Sequence, residues 1–97
     1  MAVGLSAPAT LHPVSGIRLV CAAAGIKPPG RQDLTLIEIA DDSSVAAVFT
    51  RNAFRAAPVL VGERHLAVSS PRYLLINTGN ANAGTGQRGL DDAKACC

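Results

Sequence analysis

The 97-residue sequence contains no tryptophan and only three aromatic residues, Phe49, Phe54 and Tyr73. Nearly half of the residues are apolar, but most of these are alanine, valine and leucine. Burial stabilises by about 25 cal/mol per Å² of apolar surface, so small side chains contribute little each. A chain this short also buries a smaller share of its surface than a longer one does. We therefore expect one small domain that needs further polypeptide to be stable.

Long charge runs and cysteine frameworks are also missing. The seven arginines and two lysines are scattered, and the net charge is only +2. With so few aromatic residues, this charge pattern gives nucleic-acid binding little support. The three cysteines, Cys21, Cys96 and Cys97, form no CxxC pair, which is typical of a reducing compartment. The apolar residues 19–26 are too few to span a membrane, so we expect a cytoplasmic protein with no nucleic-acid or membrane partner.

Four segments have the apolar patterns of strands. They are residues 17–23, 34–39, 45–50 and 73–77. The second and third flank a polar turn at residues 41–44, which predicts an antiparallel hairpin. The last is a continuous apolar run, typical of a strand that is buried on both faces.

Two segments favour helices. Residues 52–67 are the first, with Pro58 tolerated near a helix start. Residues 90–97 are the second, with Asp91 and Asp92 placed early, where the helix dipole favours acids. This segment stops without a capping residue, so we expect the chain to be truncated there. Strands with helices packed against them predict an α/β fold built of α+β layers rather than a bundle.

A glycine-rich loop separates the last strand from the last helix. Residues 79–89 contain four glycines, and glycine permits backbone angles and close approaches that a Cβ would forbid. A loop between a buried strand and a helix start exposes backbone N–H groups and the positive end of a helix dipole. These features favour a ligand-binding or catalytic loop over a plain surface turn.

Two functional interpretations of this loop compete. Residues 84–89 fit the G-x-G-x-x-G pattern of phosphate and dinucleotide binding, although the first glycine should follow the strand almost directly. Alternatively, the hydroxyl of Thr85 beside the backbone N–H of Gly86 supplies two convergent donors, as an oxyanion hole for acyl transfer requires. Composition alone leaves both interpretations open.

Residues 77–86 read N-T-G-N-A-N-A-G-T-G, which resembles the N-x-G-N-A-N-A-x-T-G signature of the bifunctional glutamate N-acetyltransferases, or ornithine acetyltransferases. Further stretches agree in the family's order. They are A-G-I-K with R-x-D-L at residues 24–34, A-A-V-F-T-R-N at 46–52, A-A-P-V at 56–59 and D-A at 92–93. Together they cover nearly all of the chain, which resembles only the opening part of the family's longer chain.

The resemblance implies an acetyl transfer from N-acetylornithine to glutamate in arginine biosynthesis, and in some members from acetyl-CoA, without a resident cofactor or metal. Family members cleave themselves before a threonine, which becomes the nucleophile and carries the acetyl group. Thr85 and Gly86 correspond to the family's oxyanion stabilisers. The family's cleavage motif does not occur in these 97 residues, so the piece by itself is expected to be inactive.

The resemblance also implies partners and a complete fold. The partners are the small-molecule substrates and the β-chain released by self-cleavage, in an assembly of two α and two β chains. The implied fold is a layered αββα sandwich, of which residues 1–97 are the N-terminal part without an internal boundary. Lys27 adjoins the turn Pro28-Pro29-Gly30, and the sequence leaves open whether it meets an anionic substrate or belongs to an ordinary loop.

Overall fold

The structure, a computed structural model, describes residues 3–4 and 6–97. It consists of a three-stranded sheet and two helices. The elements are β1 (Ile17–Ala22), β2 (Leu34–Ile39), α1 (Ala57–Val68), β3 (Tyr73–Asn77) and α2 (Gly86–Cys96). The α+β class is confirmed, and so are the strands predicted at residues 17–23, 34–39 and 73–77.

The sheet has the order β1-β2-β3 with both neighbouring pairs antiparallel. Leu34, the first residue of β2, lies opposite Ala22 at the end of β1 and opposite Asn77 at the end of β3. The ladder extends one residue further, because the Asp33 N–H donates to the Ala22 carbonyl at 3.1 Å and the Asp33 carbonyl accepts from the Thr78 N–H at 2.9 Å. The loops that follow β1 and β3 therefore leave the sheet side by side.

The predicted hairpin between residues 34–39 and 45–50 is wrong, because residues 45–50 form no strand. Both edges of β2 are occupied, one by β1 and the other by β3, so β2 has no free edge to pair with another strand. Val48 is 99% exposed. The polar turn after β2 is present, with the Ser43 N–H donating to the Ala40 carbonyl at 3.1 Å.

Both helices are confirmed, but their starts differ from the predicted ones. Helix α1 begins at Ala57, not at residue 52. Before it, the Phe54 N–H donates to Asn52 Oδ1 at 2.8 Å, and such a local side-chain bond competes with helix formation. Pro58 lies in the first helical turn, as expected. Helix α2 begins at Gly86, four residues before the predicted start, and takes the end of the glycine-rich loop into its first turn.

The core lies at the helices, and the sheet is open on both faces. Helices α1 and α2 pack on each other, and neither contacts a strand. Within the described ranges the only buried apolar residues are Ala57 and Val61 of α1. Leu74 and Ile76 of β3 are 51% and 46% exposed, so the prediction that β3 is buried on both faces is wrong for this chain, because no described element lies over the sheet. No helix in the described part is both long and apolar enough to cross a bilayer.

Candidate functional site

A ring of three asparagine side chains, Asn77, Asn80 and Asn82, shapes the loop that follows β3. We call it the asparagine ring. Asn77 Nδ2 donates to Asn80 Oδ1 at 2.9 Å, Asn80 Nδ2 to Asn82 Oδ1 at 3.1 Å, and Asn82 Nδ2 to Asn77 Oδ1 at 2.9 Å. Each amide donates once and accepts once, so the cycle is closed. Side chains rather than backbone ladders therefore define the path of this loop.

The main-chain carbonyl of Asn82 connects the asparagine ring to both helices. It accepts the Thr85 hydroxyl at 3.3 Å and the N–H of Ala57, the first residue of α1, also at 3.3 Å. Thr85 immediately precedes α2. The carbonyl thus lies where the two helix starts meet, and its position sets the direction in which the Thr85 hydroxyl points.

Thr85 occupies the N-cap position of α2 without acting as a cap. An N-cap threonine ordinarily has extended backbone angles and accepts a hydrogen bond from an N–H two or three residues further on. Thr85 has φ −90° and ψ −2°, and its side chain makes no cap hydrogen bond. Its bond to Asn82 is longer than the usual 2.7–2.8 Å of O–H···O bonds. Thr85 is an exposed residue, and its hydroxyl can exchange this weak acceptor for a ligand oxygen.

Gly86 presents a backbone N–H beside that hydroxyl. The first N–H groups of a helix have no partner within the helix, and among the described residues none accepts from the Gly86 N–H. Its φ of +60° lies in the left-handed region, which glycine adopts without the steric cost of a Cβ. The helix dipole adds partial positive charge at this end of α2. The two predicted site residues therefore supply an O–H and an N–H donor from adjacent, exposed positions.

Two further glycines make room around these donors. A Cβ added at Gly89 would overlap Oγ1 and Cβ of Thr85, so the glycine leaves the space that the threonine side chain fills. A Cβ at Gly84 would lie 2.9 Å from Cζ of Phe54, so the aromatic ring lies directly on the loop backbone. The site loop is thus packed from the helix side and from the segment before α1.

The loop that follows β1 packs against the start of the site loop. Gly79 has φ +108°, and a Cβ there would lie 2.8 Å from Cγ of Lys27 and 3.2 Å from Cγ2 of Ile26. The sequence left the surroundings of Lys27 open, and the structure places its methylene stem across Gly79.

Asp33 is the residue that sequence reasoning missed. It is the one buried polar residue of the described ranges and is 1% exposed. Its carboxylate accepts three backbone N–H groups, those of Ala24 at 2.6 Å, Ile26 at 2.7 Å and Lys27 at 2.8 Å. These bonds, that from the Lys27 N–H foremost, hold the pKa of Asp33 below its ordinary value and outweigh the opposing effect of burial. The sequence did contain a signal for this role, since Asp33 stands directly before the strand pattern of residues 34–39. The backbone N–H groups of a tight loop need an acceptor, and an acid at the start of a neighbouring strand can supply it.

The dinucleotide interpretation of residues 84–89 finds no support in this architecture. The fingerprint works in the turn between a parallel strand and the helix of a βαβ unit. Here β3 runs antiparallel to β2, and the asparagine ring separates the end of β3 from Gly84.

Comparison with known proteins agrees with the signature. The model of the ArgJ family matches residues 18–97. The chain belongs to the ArgJ family. It is 62% identical over 87 residues to the arginine biosynthesis bifunctional protein ArgJ of Methylococcus capsulatus, an alignment that covers 90% of this chain and 21% of that relative. The chain therefore spans about one fifth of the length of this ArgJ relative.

Solved structures of ArgJ proteins have the same fold in this region. The ornithine acetyltransferase of Mycobacterium tuberculosis, crystallised with ornithine, superposes with a TM-score of 0.77 at 43% identity. The bifunctional protein ArgJ of Bacillus halodurans superposes with a TM-score of 0.76 at 40% identity. Each match covers 84% of this chain and 42% of the crystallised one.

Three of the stretches that carry the ArgJ resemblance meet at one place in the structure. Residues 77–86 form the asparagine ring and the two donors. Ile26 and Lys27 pack on Gly79, and their N–H groups donate to the Asp33 carboxylate. Ala57 of the A-A-P-V stretch donates to the Asn82 carbonyl. Segments far apart in the sequence thus converge on the loop with Thr85 and Gly86.

Proposed function

We propose that this chain is the N-terminal part of a glutamate N-acetyltransferase of arginine biosynthesis, with residues 1–97 forming one piece without an internal boundary. Within that enzyme, Thr85 and Gly86 form the oxyanion hole. One observation carries the proposal: a threonine hydroxyl that does not cap its helix lies beside a glycine N–H at the start of α2 for which no described residue is an acceptor. The names of the relatives, which are arginine biosynthesis proteins and an ornithine acetyltransferase, support the reaction class.

The chemistry follows from where negative charge develops. A nucleophilic hydroxyl attacks the acetyl carbonyl of N-acetylornithine, and the carbonyl oxygen becomes an oxyanion. The Thr85 hydroxyl turns from the Asn82 carbonyl to this oxygen, and the Gly86 N–H donates to it from the helix end. The intermediate expels the amine of ornithine, which leaves with the proton that the hydroxyl gave up, and an acetyl ester remains on the enzyme. The amine of glutamate then attacks this ester through a second oxyanion in the same hole, loses a proton and releases the free hydroxyl of the nucleophile.

The nucleophile of this proposal is a threonine outside these 97 residues, freed by self-cleavage of a longer chain. The fractions of the matched proteins that the alignments cover support self-cleavage. The match covers 42% of each crystallised chain but only 21% of the curated relative, so the crystallised chains are about half as long. Such a ratio is expected when a family chain is cut into two pieces. The β-chain is then the partner, in a heterotetramer of two α and two β chains.

The remaining parts of the proposal concern the second acetyl donor, the cofactor and the cellular compartment. The word "bifunctional" in the names of the relatives supports acetyl-CoA as a second acetyl donor. The oxyanion hole uses only a hydroxyl and a backbone N–H, so this step requires no resident cofactor or metal. We place the reaction in the cytoplasm, in keeping with the unpaired cysteine pattern.

The proposal is tested by replacing Thr85 in the full-length protein that contains this segment. We expect Thr85→Ala to lower kcat for acetyl transfer roughly 100- to 1,000-fold, or about 3–4 kcal/mol, the usual effect of removing one oxyanion donor. Thr85→Ser keeps the hydroxyl and is the matched control, with kcat close to that of the parent.

Two checks make this experiment decisive. Gel electrophoresis and mass spectrometry must show that the Thr85→Ala chain is cleaved like the parent, so that the loss of transfer is not a loss of the nucleophile. The melting temperature must stay near that of the parent. A cleaved, folded Thr85→Ala enzyme with full transfer activity would refute the assignment.

A further inference from the structure

Asp33 fixes the conformation of the loop after β1. Its carboxylate is 1% exposed and accepts the backbone N–H groups of Ala24, Ile26 and Lys27 at 2.6–2.8 Å. Hydrogen bonds to an ionised acceptor are shorter and stronger than neutral ones, and a buried carboxylate requires all of them. Three peptide groups within four residues thus share one acceptor, which gives residues 24–27 a single arrangement.

This loop covers the start of the site loop. At Gly79 an added Cβ would lie 2.8 Å from Cγ and 3.5 Å from Cε of Lys27, so the methylene stem of the lysine lies flat on the glycine. Gly79 stands between Asn77 and Asn80, two members of the asparagine ring. A shift of the peptide groups of Gly79 therefore changes the distance between Asn77 and Asn80, which the hydrogen bond between their side chains must span.

The backbone of Asp33 also holds Thr78, the residue before Gly79. Its carbonyl accepts the Thr78 N–H at 2.9 Å. Residue 33 thus restrains Thr78 through its carbonyl and Gly79 through its carboxylate and Lys27. From there the asparagine ring leads to the Asn82 carbonyl, which accepts the Thr85 hydroxyl.

We propose that Asp33 is a positioning residue of the oxyanion hole. Its carboxylate holds Lys27 against Gly79, and this contact sets the asparagine ring and, through the Asn82 carbonyl, the direction of the Thr85 hydroxyl. Lys27 acts through its methylene stem and not through its ammonium group. This inference rests on the proposed function of Thr85.

The role of the stem is tested in the full-length protein with a pair of Lys27 variants. Lys27→Met retains an unbranched apolar stem without charge, and we expect it to keep the parental kcat. Lys27→Ala removes the stem, and we expect kcat to fall about 10- to 100-fold with KM unchanged, because misplacement of a catalytic group affects the transition state more than substrate binding. An equal loss in both variants would show that the ammonium is required and would overturn the proposal.

The role of the carboxylate is tested with Asp33→Asn. It has nearly the same shape but lacks the charge and the second acceptor oxygen, and we expect a similar fall in kcat with KM unchanged. Asp42→Asn is the matched control, since Asp42 is an exposed acid just beyond the other end of β2, and it should leave kcat unchanged. A lowered melting temperature with parental kcat in Asp33→Asn would assign Asp33 a structural role only and overturn the proposal.

Amide hydrogen exchange separates this inference from the proposed function. In the full-length protein we expect residues 78–86 to exchange faster in Asp33→Asn and Lys27→Ala than in the parent, Lys27→Met or Asp42→Asn. Unchanged exchange in Asp33→Asn would overturn the positioning role alone. Full activity of Thr85→Ala would overturn the proposed function and the catalytic meaning of the positioning with it.

Discussion

At the scale of single residues, the site depends on backbone conformations that local sequence preferences only partly reveal. Thr85 has right-handed helical angles where an N-cap residue is usually extended, and this difference releases its hydroxyl from capping. Gly86 and Gly84 have φ of +60° and +72°, which explains why glycine stands on both sides of the threonine. Gly89 is different, because its φ is not positive and it is required for space.

Gly89→Ala tests that requirement. The added methyl group overlaps the Thr85 side chain, which must move, so we expect kcat of the full-length enzyme to fall about 10- to 100-fold. Alanine is favoured over glycine inside a helix by about 1 kcal/mol, so the melting temperature should not fall in proportion.

Gly62→Ala in α1 is the matched control for Gly89→Ala. A Cβ at Gly62 would lie 3.8 Å from the ring of Phe49, an ordinary contact. Steady-state kinetics and thermal unfolding of both variants should show a kinetic defect only at residue 89. Parental kcat in Gly89→Ala would mean that the position of the Thr85 side chain is unimportant.

At the scale of elements, the site is built where the ends of β1 and β3 meet beside the start of β2. Asp33 extends the ladder to both neighbours, and its carboxylate organises the loop after β1. The contact between two loops that are about 50 residues apart follows from the strand order β1-β2-β3. The glycine-rich loop is therefore held by its neighbours in space as well as by its own asparagine ring.

This arrangement predicts acid sensitivity. The hydrogen bonds from Lys27, Ala24 and Ile26 lower the pKa of Asp33 from its usual 3.8. A lowered folded-state pKa means that the unfolded chain binds a proton first, so the stabilisation is complete above about pH 3.8 and is lost as the pH falls through the folded value.

The measurement is a comparison of unfolding free energies between parent and Asp33→Asn from neutral pH downwards. We expect the variant to be the less stable one at neutral pH, and the difference to shrink only below about pH 3.8. Asp42→Asn should follow the parent throughout. A difference that stays constant into strong acid would contradict the role of the Asp33 carboxylate.

At the scale of the whole molecule, the described chain has a buried helix contact and an uncovered sheet. Leu19 and Leu74 are 66% and 51% exposed, on one face of the sheet according to the strand register. The match covers 21% of the length of the curated relative. We propose that polypeptide from the remaining part of the family chain covers this face.

Complementation tests this proposal. Residues 1–97 mixed with the separately expressed remainder of the protein should recover transfer from N-acetylornithine to glutamate. Leu74→Glu should reduce the recovery at least about tenfold, since burial of an unpaired carboxylate costs several kcal/mol. Leu74→Met is the size-conserving control and should recover like the parent. Equal recovery of transfer activity with Leu74→Glu would show that this face of the sheet remains exposed to solvent in the assembled protein.

Local sequence patterns were sufficient to predict those elements whose formation depends mainly on their own residues. The sequence predicted β2 and β3 with the bounds that the structure has, because apolar runs between turn residues indicate strands without knowledge of their partners. Residues 45–50 have the same kind of pattern but form no strand, since pairing depends on which edges of β2 are free. That competition between strands cannot be read from a single segment.

For the candidate site, the sequence by itself was enough to identify the family and to predict the two donors, because the N-x-G-N-A-N-A-x-T-G signature is contiguous. Only the tertiary structure decided what holds these donors in place. The asparagine ring, the contact of Lys27 with Gly79 and the three bonds of Asp33 join residues up to 52 positions apart, the separation of Lys27 and Gly79. The contacts of Lys27 and Asp33 exist because an antiparallel sheet brings the ends of β1 and β3 beside the start of β2. A buried carboxylate there must accept the N–H groups that the turn leaves unpaired.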